Sequence, residues 1–330
     1  PSEEERELEL TLLFALTNVF AVRGNESHES VAAYLRQHAA VGFDMAGKRA
    51  VIERAFTTFT DDAVSHDEKT TMLKHLLIPM LAEVARVRTD LEVLWRPDLI
   101  DRVFGEMLAA STPGPDQAAG CSMLPNALNI ELLRVATLLV HLLPHVISEK
   151  RKELIKFAWN HLKSSDTVTK QWAYVLVCRF IEAYETPHKI ILQVYVSLLK
   201  ATQSEARSLV NRALDIMTPC LHARMPCVDR SPPKWVRWTK RLLVEDGHSL
   251  PQLIHVLQLI VRHAKLFYTY RAHFVPHIVT SLAKIGLIPS STFENRRLSV
   301  ELAGVVLDWE KQRRMHEQRV QRRADASPRV

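Results

Sequence analysis

The amino-acid sequence predicts an all-α chain built from paired helices, and three observations carry that expectation. Glycine is scarce, helix-start signals recur along the chain, and two helix pairs in its middle begin about 38 residues apart. Nine glycines in 330 residues is under half the usual share of about 7%. Tight hairpins and phosphate loops draw on glycine, so its scarcity speaks against both.

The elements follow in order. Ser2 with Glu5 has capping-box spacing, and Glu3, Glu4 and Glu5 complement the positive end of a helix dipole, so a first helix is expected over 3–22. Apolar periodicity places further helices over 29–39, 47–58, 68–88, 97–110 and 127–147. The clearest order lies between 148 and 222, where Lys150 to Lys163, Asp166 to Glu185, Pro187 to Lys200 and Gln203 to His222 read as four successive helices. Thr186-Pro187 supplies a cap residue before a proline at the first helical position, and Thr202 with Glu205 repeats the capping box. Helices over 234–245, Leu253 to Val261, 268–285 and 293–320 complete the set. A period near 40 residues with two helices per unit is that of an α-α superhelix, a HEAT/armadillo-type solenoid.

Within each middle pair the second helix is the more apolar. Trp172 to Cys178 is an unbroken apolar run, and a helix apolar nearly all round must be covered on most sides. The expected structural core is therefore Trp172, Val175 and Leu176, with Phe157 and Trp159 before them, Ile191 and Tyr195 after them, and Leu257 and Ile260 further on. Ile190 to Leu199 is rich in β-branched residues and also fits a buried strand; its helix-start signal and helical neighbours favour helix.

The expected domains are HEAT-like repeats over 1–110, a loop over 111–125, HEAT-like repeats over 126–310, and a basic helix end running into a disordered tail over 311–330. The segments 111–125 and 224–233 are proline-rich and are the expected breaks in the stack. Of the formal charge of +6, seven basic against two acidic residues place +5 after position 310. Arg313, Arg314, Arg322 and Arg323 are the candidate interaction residues there. Trp235 and Trp238, flanked by Lys234, Arg237, Lys240 and Arg241, are a second candidate, with the indoles able to stack bases. The reading preferred for them is that the indoles anchor one helix on the next while the charges stay in solvent. The nearly neutral body carries no basic stripe, so direct nucleic-acid binding is not expected.

No glycine-rich phosphate loop, nucleophile elbow, HExxH helix or kinase signature occurs, so no catalytic residue, cofactor or small-molecule substrate is expected. The best metal candidate, Cys220 and His222 with Cys227 and His248, lacks the tight thiolate pairs of a structural zinc site and is read as a helix end followed by a loop. His141 and His145 have helical spacing, but Pro144 lies between them and nothing completes a cluster. Four irregularly spaced cysteines, Cys121, Cys178, Cys220 and Cys227, fit reduced thiols in cytosol or nucleus. No apolar run is long enough to span a bilayer. The first residue, Pro1, and the basic end are expected of a piece of a longer polypeptide.

Several long segments, LLIPMLAEV, PDLIDRVFGEML, KELIKFAWNHLKSSDTVTKQWAYVLVCRFIEAYETPHKIILQVYVSLLK, GHSLPQLIHVLQLIVRH, FYTYRAHFVPHIV and ENRRLSVELAGVVLDWE, together resemble the HEAT region of the TRRAP family of phosphatidylinositol-kinase-related pseudokinases. The likeness runs from about residue 67 to 320; residues 1 to 66 match less distinctly, and 224–231 is idiosyncratic. The resemblance implies a nuclear, non-catalytic scaffold segment of SAGA-type and histone-four-directed acetyltransferase complexes. Its implied partners are the protein subunits of those complexes and transcription activators, with no membrane. The alternatives are a HEAT scaffold of another kind, such as a transport or assembly factor, and a nucleic-acid-binding helical module.

Overall fold

The computed structural model describes residues 3–23, 29–87, 94–111, 124–202, 205–227, 231–245 and 249–326, and every regular element among them is helical. The chain divides into two compact units, Pro1–Tyr184 and Glu185–Val330.

The first unit opens with α1 (Glu3–Arg23) and α2, whose Glu29–Leu35 widens into a π-helical Arg36–Gly42. Next come α3 (Met45–Thr60) and α4, which runs through His66–Met72, a π-helical Leu73–Leu77 and Ile78–Val87. Then follow α5 (Pro97–Arg102 with the π-helical Val103–Leu108), α6 (Asn126–Leu142), α7 (Arg151–His161) and α8 (Thr167–Ala183). Side chains start several of these helices. Asp44 accepts from the Gly47 N–H at 2.7 Å, Asp166 accepts from the Thr169 N–H at 2.7 Å, and Ser65 with Glu68 forms a complete capping box. Helix α8 packs along α6 and α7, α6 also packs on α4, and α1 lies on the first segment of α4. The 111–125 loop lies almost wholly outside the described residues; of the helices before it, α4 packs on α6.

The second unit comprises α9 (His188–Lys200), α10 (Arg207–Arg224), α11 (Lys234–Val244), α12 (Leu250–Arg262), α13 (Ala264–Phe267) with a 3-10 turn Tyr268–His273, α14 (Val275–Gly286) and α15 (Phe293–Ala326). Helix α9 packs on α10, α11 and α12, and α14 packs along α15, which also contacts α12. Two buried side chains of α12 finish α9: Gln252 Nε2 donates to the Leu199 carbonyl at 2.6 Å, and His255 Nε2 lies 3.1 Å from the Leu198 carbonyl. One turn of α12 thereby meets carbonyls at the helix end, where the intrahelical ladder runs out; the Leu198 carbonyl also accepts from the Ala201 N–H at 3.2 Å.

Several helix ends depart from expectation. Helix α6 stops at Leu142 instead of continuing to 147, because Pro144 cannot extend it; the Tyr184 hydroxyl donates to the freed Pro144 carbonyl at 2.6 Å. Pro187 is the N-cap of α9 itself rather than its first helical residue, so Thr186 does not occupy the cap position. Helix α10 begins at Arg207 from Ala206 with no side-chain cap, so the Thr202–Glu205 box does not start it. Ser2, of the first capping box, lies outside the described residues. The helix expected over 268–285 is divided, with Pro276 opening α14, and α15 continues to Ala326 rather than fraying after 320.

The core residues fall as follows. Phe157, Val175, Leu176, Ile191, Tyr195, Leu257 and Ile260 are buried, each side chain of this size contributing about 1.5–3 kcal/mol. Trp159 and Trp172 are only half-buried. The Arg134 guanidinium lies 5.6 Å from the centroid of the Trp172 ring, covering it with a charge, and is itself paired to Glu131 at 2.7 Å.

Candidate interaction surface

Trp235, the first aromatic candidate, is fully enclosed. Its ring meets Phe267 edge-on at 5.7 Å and Tyr270 edge-on at 5.4 Å, and its carbonyl accepts from the Thr239 hydroxyl at 2.8 Å. It has no face to offer a base or a peptide. Trp238 is half-buried, with the Arg241 guanidinium 5.0 Å from its ring centroid, and Arg241 is also paired to Glu245. Lys234 and Arg237 are exposed beside it and line one shallow depression with Trp238 and Arg241.

The basic end of α15 divides into two chemically different sets. Arg313 and Arg314 both hydrogen-bond Glu310, Arg313 also meets Glu317, and Lys311 lies 3.6 Å from Asp308. Those hydrogen bonds hold the Glu310 carboxyl down at about 2 and push the Arg313 guanidinium up. These arginines are therefore neutralised along their own helix. Arg322 is exposed, and the Arg323 side chain lies outside the described residues. The other set borders a groove. Where α15 passes the 3-10 turn, an open groove of ≈ 700 Å³ is lined by Tyr268, Thr269 and Arg271 from the turn and by Gln312, Met315, His316 and Arg319 from the helix. Trp309 Nε1 donates to the Ala264 carbonyl at 3.0 Å, fixing the helix one turn before the groove.

The metal candidates do not converge among the described residues. The Cys220 thiol donates to the Met217 carbonyl at 2.9 Å, the Cys227 thiol donates to the Ser231 carbonyl at 2.7 Å, and His222 is exposed. His248 and Cys121 lie outside the described residues. No group of three or more His, Cys, Asp or Glu side chains within reach of one ion occurs among the residues described. His141 and His145 are separated by the end of α6, so they do not share a helix face. No described helix is long and apolar enough to cross a membrane.

A family model described as the Tra1 HEAT repeat ring region matches residues 2–329. The chain belongs to this family. With described residues that are helical throughout their regular elements and free of strands, it is an all-α solenoid segment of the Tra1 HEAT ring family. It is 41% identical over 305 residues to the probable transcription-associated protein 1 of Dictyostelium discoideum, covering 92% of this chain and 7% of that protein. It is 34% identical over 322 residues to the human transformation/transcription domain-associated protein, covering 92% of this chain and 8% of the relative. Against the SAGA complex/NuA4 acetyltransferase complex subunit TRA1 of Saccharomyces cerevisiae the identity is 36% over 180 residues, 54% of this chain and 5% of that subunit. The chain thus spans less than a tenth of the length of these relatives.

The residues of this Tra1 ring segment that sequence reasoning missed are Tyr268, Arg271 and Arg319. Charge density drew attention to the tail as a whole, but only geometry separates arginines held by Glu310 from those facing a groove. A partial signal was available: Glu310, Arg313, Arg314 and Glu317 stand at i, i+3 and i+4 spacings, which favour self-pairing, whereas no acid stands three or four positions from Arg319.

Proposed function

We propose that this segment is a non-catalytic scaffold element of a SAGA/NuA4-type acetyltransferase complex subunit in the nucleus, serving complex assembly and the recruitment of transcription activators. The observation that carries the reading is the match of nearly the whole chain to the Tra1 ring family, together with its likeness to a yeast protein described as a subunit of both complexes. The matched region is a HEAT ring, and its surfaces are those of stacked helices, suited to holding other proteins. The named partners are protein subunits and activators; no small-molecule substrate or membrane enters the reading.

The test is co-purification of the full-length protein from cells, with acetyltransferase activity measured in the recovered complex. Leu176→Asp, which puts a charge into the closed core of α8, is expected to reduce recovery of partner subunits and activity together. His222→Ala and Cys227→Ser are expected to leave both unchanged. Normal assembly by the Leu176 variant, with activity lost in the His222 or Cys227 variant, would overturn the scaffold reading.

A further inference from the structure

The groove between the 3-10 turn and α15 has the features of a ligand site rather than of a solvated charge run. Arg271 is held by Tyr268 twice: its guanidinium stands 4.4 Å from the Tyr268 ring centroid, and its Nη1 donates to the Tyr268 carbonyl at 3.1 Å. A guanidinium has five N–H donors in a fixed fork, so stacking and a single hydrogen bond leave most of them directed elsewhere at little cost in rotamer freedom. Across the groove stands Arg319, and neither arginine forms an ion pair with a carboxylate among the described residues. Thr269, Gln312 and His316 add neutral hydrogen-bonding groups, while Met315 and the Tyr268 ring supply apolar surface. No carboxylate lines the groove among the residues described.

We infer that this groove binds a phosphorylated serine or threonine in a peptide segment of a partner protein. Charge stoichiometry points to phosphate: two unpaired arginines match one dianion, whereas a single carboxylate leaves one positive charge uncompensated. The apolar flank of Tyr268 and Met315 fits a neighbouring peptide side chain, which a bare anion does not bring. The same helix argues against a nucleic-acid backbone. Asp308, Glu310 and Glu317 on that helix occupy Lys311, Arg313 and Arg314, so a continuous basic track of the kind that follows successive phosphates is broken. This site is independent of the scaffold reading and goes beyond it.

The test is fluorescence anisotropy on the intact chain with three labelled nine-residue peptide pools, degenerate except for a central phosphoserine, serine or glutamate. The phosphoserine pool is expected to bind about 10-fold or more tightly than the other two, since charge-assisted hydrogen bonds contribute most of the affinity. Arg319→Ala, an exposed helix position remote from the core, and Arg271→Lys, which keeps the charge but loses the fork, are each expected to weaken binding by about 10-fold. Arg314→Ala, which removes a guanidinium held by Glu310, is expected to leave it unchanged. Far-ultraviolet circular dichroism establishes that each variant is folded. Equal binding of the phosphoserine and glutamate pools, equal losses for Arg314→Ala and Arg319→Ala, or a single-stranded oligothymidine binding as tightly and with the same dependence on Arg319 would each overturn the assignment.

Discussion

The Tyr195 hydroxyl lies 2.8 Å from the Thr239 hydroxyl, and both residues are fully buried. The Thr239 hydroxyl lies 2.8 Å from the Trp235 carbonyl, to which it donates its only proton, so Tyr195 must be the donor to Thr239. The chain of bonds ties α9 to α11 and fixes the helix that carries the enclosed Trp235. Burial pushes the Tyr195 phenol well above its usual range, so it stays a donor at any working pH. Tyr195→Phe is expected to lower stability by about 1 kcal/mol, the net worth of one such bond. Thr239→Val strands the buried phenol and is expected to cost more, about 1–3 kcal/mol. Urea denaturation of both variants and of the double variant checks this; the double variant should cost less than the two single losses together.

Trp172 gives a different expectation from the one its apolar run suggests. A fully packed tryptophan replaced by alanine costs about 3–5 kcal/mol. Trp172 is half-buried, and the Arg134 guanidinium lies over its ring. Trp172→Ala is therefore expected to cost less, about 1–3 kcal/mol, and part of that loss should vanish in an Arg134→Ala background. Thermal or urea unfolding of the four proteins of that double-mutant cycle checks the coupling.

These two residues show where the sequence was legible and where it was not. Helical periodicity located nearly every helix because long apolar faces such as that of α12 admit little else. Its failures lie at ends and faces. Thr202–Glu205 has the letters of a capping box, but Ala206 occupies the cap, whereas the real box at Ser65–Glu68 starts a helix two residues before periodicity alone placed it. Composition cannot tell which side of Trp172 meets an arginine or that Trp235 is closed in by Phe267 and Tyr270, since those contacts join residues more than thirty positions apart. The tail is split in the same way: Glu310 stands within one turn of the arginines it holds, but the groove that Arg319 shares with Tyr268 and Arg271 joins residues far apart in the chain.

Acidification should weaken the protein through histidines that are buried or half-buried. Burial lowers His161, His255 and His263 below the ordinary imidazole value; Arg207 and Arg262 push His255 further down, and the carbonyls of Phe157 and Leu198 and the Asp215 carboxylate only partly offset the effect. A depressed folded-state value means that the unfolded chain takes up protons first, so the stability held above about pH 6.5 is lost progressively as pH falls below it. Glu131, raised by burial, acts in the opposite sense, so the informative quantity is a difference between variants. His255→Gln is expected to melt lower at pH 7.5 but to lose less on going to pH 5.5. Thermal melts of both proteins across that range check it, and parallel slopes would remove His255 as a source of the effect.

The junction of α14 and α15 yields a pair of glycine substitutions with opposite signs. A Cβ at Gly286 would stand 2.6 Å from the Ser299 Oγ and 2.7 Å from the Ser299 Cβ. The oxygen can rotate away, but the Ser299 Cβ moves only with the backbone of α15, and its hydroxyl already donates to the Leu282 carbonyl at 3.2 Å. Gly286 is thus a point of close approach between the two helices, and Gly286→Ala forces them apart. Overpacking of this kind costs about 1–3 kcal/mol. Gly304 lies further along α15 and has open space, with nothing within 4 Å of the position a Cβ would take. There the substitution only restricts the unfolded chain and improves helix propensity, so Gly304→Ala is expected to add about 0.5–1 kcal/mol. Chemical denaturation of the two variants beside the parent chain decides the matter. A loss at Gly286 and a gain at Gly304 fit the close crossing, whereas equal gains would mean that α14 and α15 do not approach each other through Gly286.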